Sequence, residues 1–241
     1  MTFFRDLWKK FLDGNTLTRL LYINVAMFVL IIFFKTLAIL MLVRHADMTE
    51  QLFQFHWESG MILRRPWTIV TAMFTSHGIW HLLFNMLTLY WFGTLFLQYF
   101  NNSTLRGIYV LGALSSMVFY FLYFQLFSPD DYAPGFPAAS GAILSIASVL
   151  AFKAPEHAET LPLIGPMKTK YLALTLVLID IALFPEGNPA TDAAHLGAFL
   201  LGFLYYHMLK KGTDITKPVT YTIIAIQNIA AAFIEKIRRK P

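Results

Sequence analysis

The chain has 241 residues, of which 57% are hydrophobic and 14% are charged, and its formal net charge is +5 at pH 7. Soluble domains average about 25% charged residues, so this composition excludes an ordinary soluble domain and predicts an all-α integral membrane protein. Barrel strands are not expected, because the apolar runs are continuous rather than alternating. The basic residues lie at the ends of these runs, which does not indicate nucleic-acid binding, and the lack of cysteine excludes disulfides.

Three regions are predicted along the chain: an amphipathic cytoplasmic segment over residues 1–16, a membrane domain over 17–211 and a basic amphipathic cytoplasmic tail over 212–241. In the first region apolar residues recur at helical spacing, which is typical of a helix lying in the lipid headgroup layer. A disordered basic tail is the alternative interpretation of this region.

The membrane domain contains six apolar runs that approach or reach the ~20 residues needed to cross a bilayer. These predicted spans cover residues 17–43, 79–99, 105–127, 139–152, 171–184 and 193–209. The first run is longer than a signal-peptide core and lacks a cleavage site, so it is predicted to be a permanent span. Lys35 interrupts this run without an acidic partner in the same span, and its side chain is expected to snorkel to the interface.

Two further segments are expected to lie at the membrane surface. Residues 44–75, between the first two spans, are too many for a turn and rich in aromatic side chains, which favours an interfacial loop. The stretch 219–237 is amphipathic and has Gln227 and Asn228 in its middle, so it is predicted to be a surface helix rather than a seventh span.

The lysines and arginines predict the orientation of the six spans. With the N-terminus inside, the outer segments hold only Arg44, Arg64 and Arg65, all in the first loop. Because basic residues concentrate on the cytoplasmic side of membrane proteins, both termini are expected in the cytoplasm. A seventh span would move the most basic part of the chain outside.

Four polar residues lie near the starts of the second, fourth and sixth spans, and so at one depth in the outer part of the membrane: His81, Asn85, Ser140 and His195. Polar groups inside a bilayer usually face the bundle interior or a water-filled cavity. A hydroxyl, an imidazole and separate hydrogen-bond donors are the parts of acyl transfer. His195 would take the proton of Ser140, and Asn85, His81 and the Ser140 amide at the start of its helix would bind an oxyanion.

Each of these residues also has a purely structural interpretation. A serine in a membrane helix often bonds back to a carbonyl one turn earlier, and His195 could be a satisfied core histidine. His81 and Asn85 are four residues apart and could join two helices. The placement of all four at one depth favours the catalytic interpretation.

Small residues predict close packing between the fourth and sixth spans. Gly141 and Ser145 form a small face on the fourth span, and Ala198 and Gly202 follow His195 on one side of the sixth. Small faces allow two helix backbones to approach closely, which a direct hydrogen bond between serine and histidine requires.

These residues resemble the motifs of the rhomboid family of intramembrane serine proteases. The stretch from His81 to Asn85 is similar to the family's HxxxN, Ala139-Ser140-Gly141 to its GxSG, and Ala194-His195 with Ala198 and Gly202 to its AHxxG. Trp67 is similar to part of the family's interfacial loop.

The resemblance implies a six-helix rhomboid bundle with an interfacial first loop. It implies a Ser140–His195 dyad with His81, Asn85 and the Ser140 amide as the oxyanion hole, and neither a cofactor nor a metal. The implied partners are single-span or multi-span membrane-protein substrates and the lipid bilayer. The expected location is a bacterial inner membrane, with the active site opening to the outer side.

The sequence departs from the family pattern at four positions, which bear on rate and pH profile. Ala138 replaces the first glycine of GxSG, Thr68 the arginine that usually follows the loop tryptophan, and Leu144 an aromatic residue one turn after the serine. His77 lies one residue closer to His81 than the family's equivalent histidine. Zinc binding by His77 and His81 is not expected, since no third ligand is evident. Asp180 is not expected to complete a triad. The fifth span, with the cap at 185–189, is predicted to be the side that moves to admit a substrate helix.

Two other functions are compatible with a polar cluster in a bundle. One is a catalytically inactive rhomboid-like protein that binds membrane clients. The other is a transporter or channel with the histidines and Asp180 as a proton path. The second predicts polar groups through the full depth of the bundle, whereas here they cluster at the outer end.

Overall fold

The computed structural model describes residues 2–42, 46–127, 135–161, 165–183 and 189–238, which are mostly helical. The helices are α1 (Thr2–Asp13), α2 (Thr16–Leu40), α3 (Ser59–Arg64), α4 (Thr68–Thr71), α5 (Ile79–Tyr99), α6 (Asn102–Phe127), α7 (Ala139–Lys153), α8 (Thr169–Leu183), α9 (Pro189–Lys210) and α10 (Lys217–Arg238). Two 3₁₀ turns lie at Ala46–Leu52 and Ala72–Phe74, and β1 (Ala158–Leu161) pairs antiparallel with β2 (Gly165–Lys168).

Each predicted span coincides with a helix, namely α2 and α5 to α9, with ends shifted by a few residues. Within the described part of the chain, α2, α5 and α6 are long and apolar enough to cross a membrane, and α7 is a shorter apolar helix. The protein is therefore a helical membrane protein, and the number of its crossings stays a prediction.

Helix α7 lies at the centre of the bundle. Its first twelve residues, Ala139 to Leu150, are all buried, and α5, α6, α8 and α9 pack around it. A helix enclosed on every side needs small or apolar residues all round, which is the composition that α7 has. The side chains at the start of α7 are therefore shielded by the neighbouring helices from the surroundings of the bundle.

Glycines set the spacing between α7 and its neighbours. A Cβ atom at Gly202 on α9 would lie 2.5 Å from Ser148 Cβ and 2.8 Å from the Ser145 carbonyl oxygen, so α9 approaches α7 closely, as the small residues predicted. A Cβ at Gly141 would lie 2.5 Å from Ser116 Oγ on α6 but 3.7 Å from Ala198 Cβ on α9. The tightest contact of Gly141 is thus with α6 and not, as expected, with α9.

Part of the first loop packs onto the bundle. Phe55 is buried and pairs with Phe136 through two backbone hydrogen bonds of 3.0 and 2.7 Å. Trp57 stacks on Phe124 with ring centroids 5.1 Å apart. The indole N–H of Trp67 donates to the Leu52 carbonyl. Some of the aromatic side chains that favoured an interfacial loop therefore serve as packing contacts.

Lys35 has an acidic partner from outside its own span. Its Nζ lies 3.0 Å from Glu50 Oε1 in the loop after α2, and each side chain is 32% exposed. Snorkelling was expected because the span itself holds no acid. The sequence could not reveal this partner, since the pairing depends on how the loop folds back.

The hairpin of β1 and β2 was not predicted. It lies between α7 and α8, at the opposite end of the bundle from the start of α7. Before it, Glu156 forms ion pairs with Lys168 and Lys170, whose hydrogen bonds lower the pKa of the Glu156 carboxyl to about 2. Tyr99 Oη at the end of α5 lies 3.0 Å from His157 Nδ1. These contacts tie the beginning of α8 to α5 and α7.

The first and the last described segments are helical. Helix α1 occupies the segment for which a disordered tail was the alternative, and Leu7 lines an apolar groove together with α2 and Met86 of α5. Helix α10 begins where Thr216 packs on α6, since a Cβ at Gly107 would lie 2.5 Å from Thr216 Cβ. Along α10 large apolar side chains such as Tyr221 and Ile226 are exposed.

Candidate active site

The backbone that leads into α7 is held from two sides. Phe136 is fixed by its bridge to Phe55, and the amide of Ala138 donates to the Ala72 carbonyl at 2.8 Å. Gly135 allows the first loop to approach, because a Cβ there would lie 2.6 Å from Gln54 Cβ. The position at which α7 begins is therefore determined by the first loop and by the turn before α5.

The start of α7 has backbone N–H groups near Ser140 that are not used within the helix. The first helical hydrogen bond runs from the Ala142 amide to the Ala138 carbonyl at 3.1 Å. The amides of Ala139, Ser140 and Gly141 precede it, and such amides have no partner within an α-helix. Together with the positive end of the helix dipole, they make this a favourable place for a negative charge.

Ser140 and His195 meet at the starts of α7 and α9. Ser140 Oγ lies 3.0 Å from His195 Nε2, and the two residues are 9% and 8% exposed. This is hydrogen-bonding distance, and an imidazole so placed can accept the hydroxyl proton and activate the oxygen as a nucleophile.

A narrow cavity adjoins this pair. It is lined by Phe84, Asn85, Thr88, Ser140, Ile143, Leu144, Leu176 and His195, and its volume is about 10 Å³, which is roughly the room that one water molecule needs. The structure therefore brings Asn85 together with Ser140 and His195. The cavity as it stands is too small for a peptide.

The two candidate donors on α5 have different surroundings. Asn85 is 3% exposed, and its side-chain N–H donates to Ser76 Oγ at 3.2 Å. His81, one turn earlier and also buried, accepts a hydrogen bond at Nδ1 from the His77 amide at 3.2 Å. Of the described residues predicted to form the site, His81 alone does not line the cavity.

The departures from the family pattern fit the local structure. Ala138 caps α7 with φ −92° and ψ 7°, and this negative φ is open to residues other than glycine, so the backbone does not require glycine there. Leu144 is buried and lines the cavity. Thr68 is buried, and its hydroxyl donates to the Arg65 carbonyl.

Two features that the sequence analysis discussed, Asp180 and the cap after the fifth span, are not fully covered by the described residues. Two residues at the site were not predicted. The side chain of Asp180 and residues 184–188, which include most of the predicted cap, lie outside the described residues. Ser76 and Leu176 contact the site but were not predicted from the sequence, because neither belongs to a motif or to the polar residues near the starts of the spans. In the described part of the chain, no three His, Asp or Glu side chains are placed to hold a metal ion.

Comparison with protein families identifies the family of the chain. A family model described as the Rhomboid domain matches residues 63–212, which is more than half of the chain and includes all the candidate site residues. The chain belongs to the rhomboid family.

Two relatives of this rhomboid chain come from eukaryotes. It is 30% identical over 158 residues to RHOMBOID-like protein 12, mitochondrial, of Arabidopsis thaliana, a match that covers 60% of this chain and 47% of that protein. It is 27% identical over 152 residues to Rhomboid protein 1, mitochondrial, of Saccharomyces cerevisiae, covering 61% and 43% respectively. The chain spans less than half the length of each of these relatives.

Proposed function

We propose that this rhomboid chain is an intramembrane serine endopeptidase that hydrolyses peptide bonds in or near the transmembrane segments of membrane-protein substrates. The observation that carries the proposal is the 3.0 Å distance between Ser140 Oγ and His195 Nε2 at the buried ends of two helices. Membership of a family with the same motifs, and the presence of Asn85 beside the pair, support it.

In the first half of the proposed reaction, Ser140 Oγ attacks the peptide carbonyl while His195 Nε2 accepts the hydroxyl proton. The resulting oxyanion is bound by the Ser140 amide, by the Asn85 side chain and by His81, and each fixed donor contributes about 2.7–4 kcal/mol. Collapse breaks the C–N bond, and His195 returns its proton to the leaving amine. The product is an acyl-enzyme on Ser140.

In the second half, water attacks the acyl carbonyl and His195 accepts one of its protons. A second oxyanion forms at the same donors. When it collapses, the bond to Ser140 Oγ breaks, and the proton on His195 returns to the serine. The carboxylic product leaves, and the dyad is in its initial state.

The membrane arrangement is part of the proposal. We place α2 and α5 to α9 as six spans, with the segments 1–16 and 212–241 in the cytoplasm and the first loop in the outer interface. Substrates would be single-span or multi-span membrane proteins. A bacterial inner membrane stays a prediction, and the two relatives are named as mitochondrial.

Substrate entry requires movement, because a cavity of about 10 Å³ holds no peptide. Leu176 is the α8 residue that closes this cavity. We assign α8 as the moving side, since its beginning is tied down by Glu156 and β2 while Leu176 lies further along the helix.

The test is cleavage of a model transmembrane substrate in detergent or liposomes, combined with labelling by a fluorophosphonate probe. Ser140→Ala should lower kcat by several orders of magnitude, because loss of the nucleophile alone removes most of the catalytic unit's effect. Wild type should be labelled and Ser140→Ala should not. Ser59→Ala is the control, since Ser59 is exposed in the first loop; it should keep labelling and cleavage.

Two results would contradict the proposal. Near-normal cleavage by Ser140→Ala would remove Ser140 as the nucleophile. A folded wild type that is neither labelled nor active on any transmembrane substrate would instead indicate an inactive client-binding protein.

A further inference from the structure

The short turn before α5 contacts both side chains that we assign as oxyanion donors. Ser76 Oγ accepts the hydrogen bond from Asn85 Nδ2, and the amide of the next residue, His77, donates to His81 Nδ1, each at 3.2 Å. Ser76, His81 and Asn85 are 7%, 3% and 3% exposed, so water competes little for these bonds. Neither Ser76 nor the His77 amide has a role in the reaction described above.

The contact from His77 determines where His81 carries its proton. A backbone amide can only donate, so the Nδ1 atom that it approaches must act as an acceptor. A neutral imidazole with an unprotonated Nδ1 has its proton on Nε2. A doubly protonated ring would direct an N–H at the His77 amide and lose the bond. The geometry therefore favours neutral His81 with Nε2–H as its donor.

The contact from Ser76 restrains the Asn85 amide. The amide nitrogen has two hydrogens, and one of them is given to Ser76 Oγ. The second hydrogen is left for a ligand in the cavity that Asn85 lines with Ser140. A side chain held in this way does not need to reorganise when charge develops on the substrate, which is what makes an oxyanion donor effective.

The turn is itself joined to the nucleophile. The Ala72 carbonyl accepts hydrogen bonds from the Thr75 hydroxyl at 3.1 Å and from the Ala138 amide at 2.8 Å. Gly78 has φ +90°, a backbone conformation that residues other than glycine rarely adopt. Its amide donates to the Ser76 carbonyl at 3.0 Å. The chain thus reverses at Gly78, so that Ser76 and His77 lie against α5.

We propose that Ser76 and the His77 amide form a positioning segment for the oxyanion hole: the amide fixes the tautomer of His81, and the Ser76 hydroxyl orients the amide of Asn85. This proposal rests on the proposed function. The two residues position the donors and do not touch the substrate.

The kinetic arm of the test uses the double-mutant cycle of Ser76→Ala and Asn85→Ala. Ser76→Ala should lower kcat about tenfold, the effect of one lost hydrogen bond, with KM little changed. It should have no further effect in the Asn85→Ala background, because Ser76 acts through Asn85. Ser76→Thr keeps the hydroxyl and should restore most of the rate. Additive losses, or no recovery with threonine, would overturn the role of Ser76.

The spectroscopic arm needs no activity and so separates this proposal from the proposed function. In protein labelled with ¹⁵N-histidine, the His81 resonances, assigned by their loss in His81→Gln, should show Nδ1 unprotonated and Nε2 protonated at neutral pH. His77→Ala is the control, since it keeps the backbone donor and should keep this tautomer. A proton on Nδ1, or a tautomer that changes in His77→Ala, would overturn the role of the His77 amide.

A second spectroscopic readout concerns Asn85. Its side-chain amide resonance should shift in Ser76→Ala and stay in place in Ser59→Ala. An unshifted resonance in Ser76→Ala would show that Ser76 does not orient the amide, even if the protein cleaves no substrate.

Discussion

Ser140 and His195 are brought together by contacts that do not involve their own side chains. The backbone before Ser140 is held by the hydrogen bond from Ala138 to the Ala72 carbonyl. Helix α9, which carries His195, is held against α7 where Gly202 meets Ser148. Truncating either side chain should therefore remove the proposed chemistry while leaving the bundle folded.

The role of Asn85 as an oxyanion donor can be tested with a single substitution. Asn85→Ala should lower kcat by about 10²–10³-fold, the usual effect of removing one oxyanion donor, with a small change in KM. The measurement is steady-state cleavage of a transmembrane substrate. Asn102→Ala is the control: the Asn102 side-chain oxygen accepts from the Thr16 amide, and Asn102 lies beyond the end of α5 opposite to Asn85, so its loss should lower the melting temperature but not kcat.

The size of the Asn85 effect also separates two roles. A loss as large as that of Ser140→Ala, together with a lowered melting temperature, would mean that Asn85 mainly holds the structure. An unchanged kcat would remove it from the oxyanion hole.

Among the single residues of the site, the sequence predicts those that belong to a motif or recur at helical spacing. Ser140, His195 and Asn85 were recognisable because each lies near the start of an apolar run. Ser76 was not, since it lies in an irregular turn nine residues before Asn85 and no periodicity links the two. The pairing of Lys35 with Glu50 escaped prediction for the same reason.

Helix packing controls the distance within the dyad. Gly202→Ala would place a Cβ 2.8 Å from the Ser145 carbonyl oxygen, which is backbone and cannot move aside alone. Helix α9 must then shift away from α7, at a cost of about 1–3 kcal/mol in stability. We expect a lower melting temperature and slower labelling of Ser140 by the fluorophosphonate probe.

Gly60→Ala is the matched control for this substitution. A Cβ at Gly60 meets nothing within 4 Å, so the variant should melt and react like wild type. Equal behaviour of the two glycine variants would show that the close approach at Gly202 does not determine the dyad geometry.

The helices themselves were predictable because their apolar runs are long and bounded by polar residues. The hairpin of β1 and β2 was not, because eight strand residues between two helices produce only a weak signal. The hairpin bears on the proposed gate, since it lies at the base of α8. Because the pKa of the Glu156 carboxyl is lowered to about 2, its ion pairs with Lys168 and Lys170 persist at neutral pH and weaken as the pH falls through that value. At alkaline pH they end when the lysines lose their protons.

The anchored base of α8 leads to a prediction about the gate. Because the chain has no cysteine, pairs of cysteines can be cross-linked without background. Cross-linking Phe84→Cys to Leu176→Cys, whose native residues line the cavity beside Ser140, should abolish cleavage of transmembrane substrates. The same reagent joining Trp91→Cys to Leu172→Cys, whose native residues line a separate cavity of about 200 Å³ nearer the hairpin, should leave cleavage largely intact.

Each pair serves as its own reference, because activity is compared before and after cross-linking. Undiminished cleavage with the first pair locked would exclude α8 as the gate. Loss of cleavage with the second pair locked would mean that α8 moves as a whole and is not hinged at its base.

At the scale of the molecule, the folded unit is larger than the region that identifies the family. The family match covers residues 63–212, yet Leu17 and Leu20 of α2 belong to the buried core. The side-chain N–H of Asn24 on α2 also donates to Tyr109 Oη. The Tyr109 hydroxyl donates in turn to the Met73 carbonyl at 2.7 Å, three residues before Ser76 of the positioning segment. Helix α2 therefore supports the site from outside the matched region.

The proposed orientation can be tested with single cysteines on the cysteine-free background. Ser59, Ala158 and Thr213 are exposed and lie in the first loop, in β1 and between α9 and α10. If six spans alternate with the termini inside, an impermeant thiol reagent should label Ser59→Cys in intact cells. Ala158→Cys and Thr213→Cys should react only after the membrane is opened, because basic flanking segments stay on the cytoplasmic side.

The outcome at Thr213→Cys tests whether α8 and α9 both cross the membrane. Ala158 and Thr213 are separated by α8 and α9, so two crossings place both on one side, whereas a single crossing separates them. Labelling of Thr213→Cys but not Ala158→Cys in intact cells would mean that one of these helices does not cross the membrane. The proposed lateral gate would then stand only if α8 is the helix that crosses, and it would be excluded if α9 is.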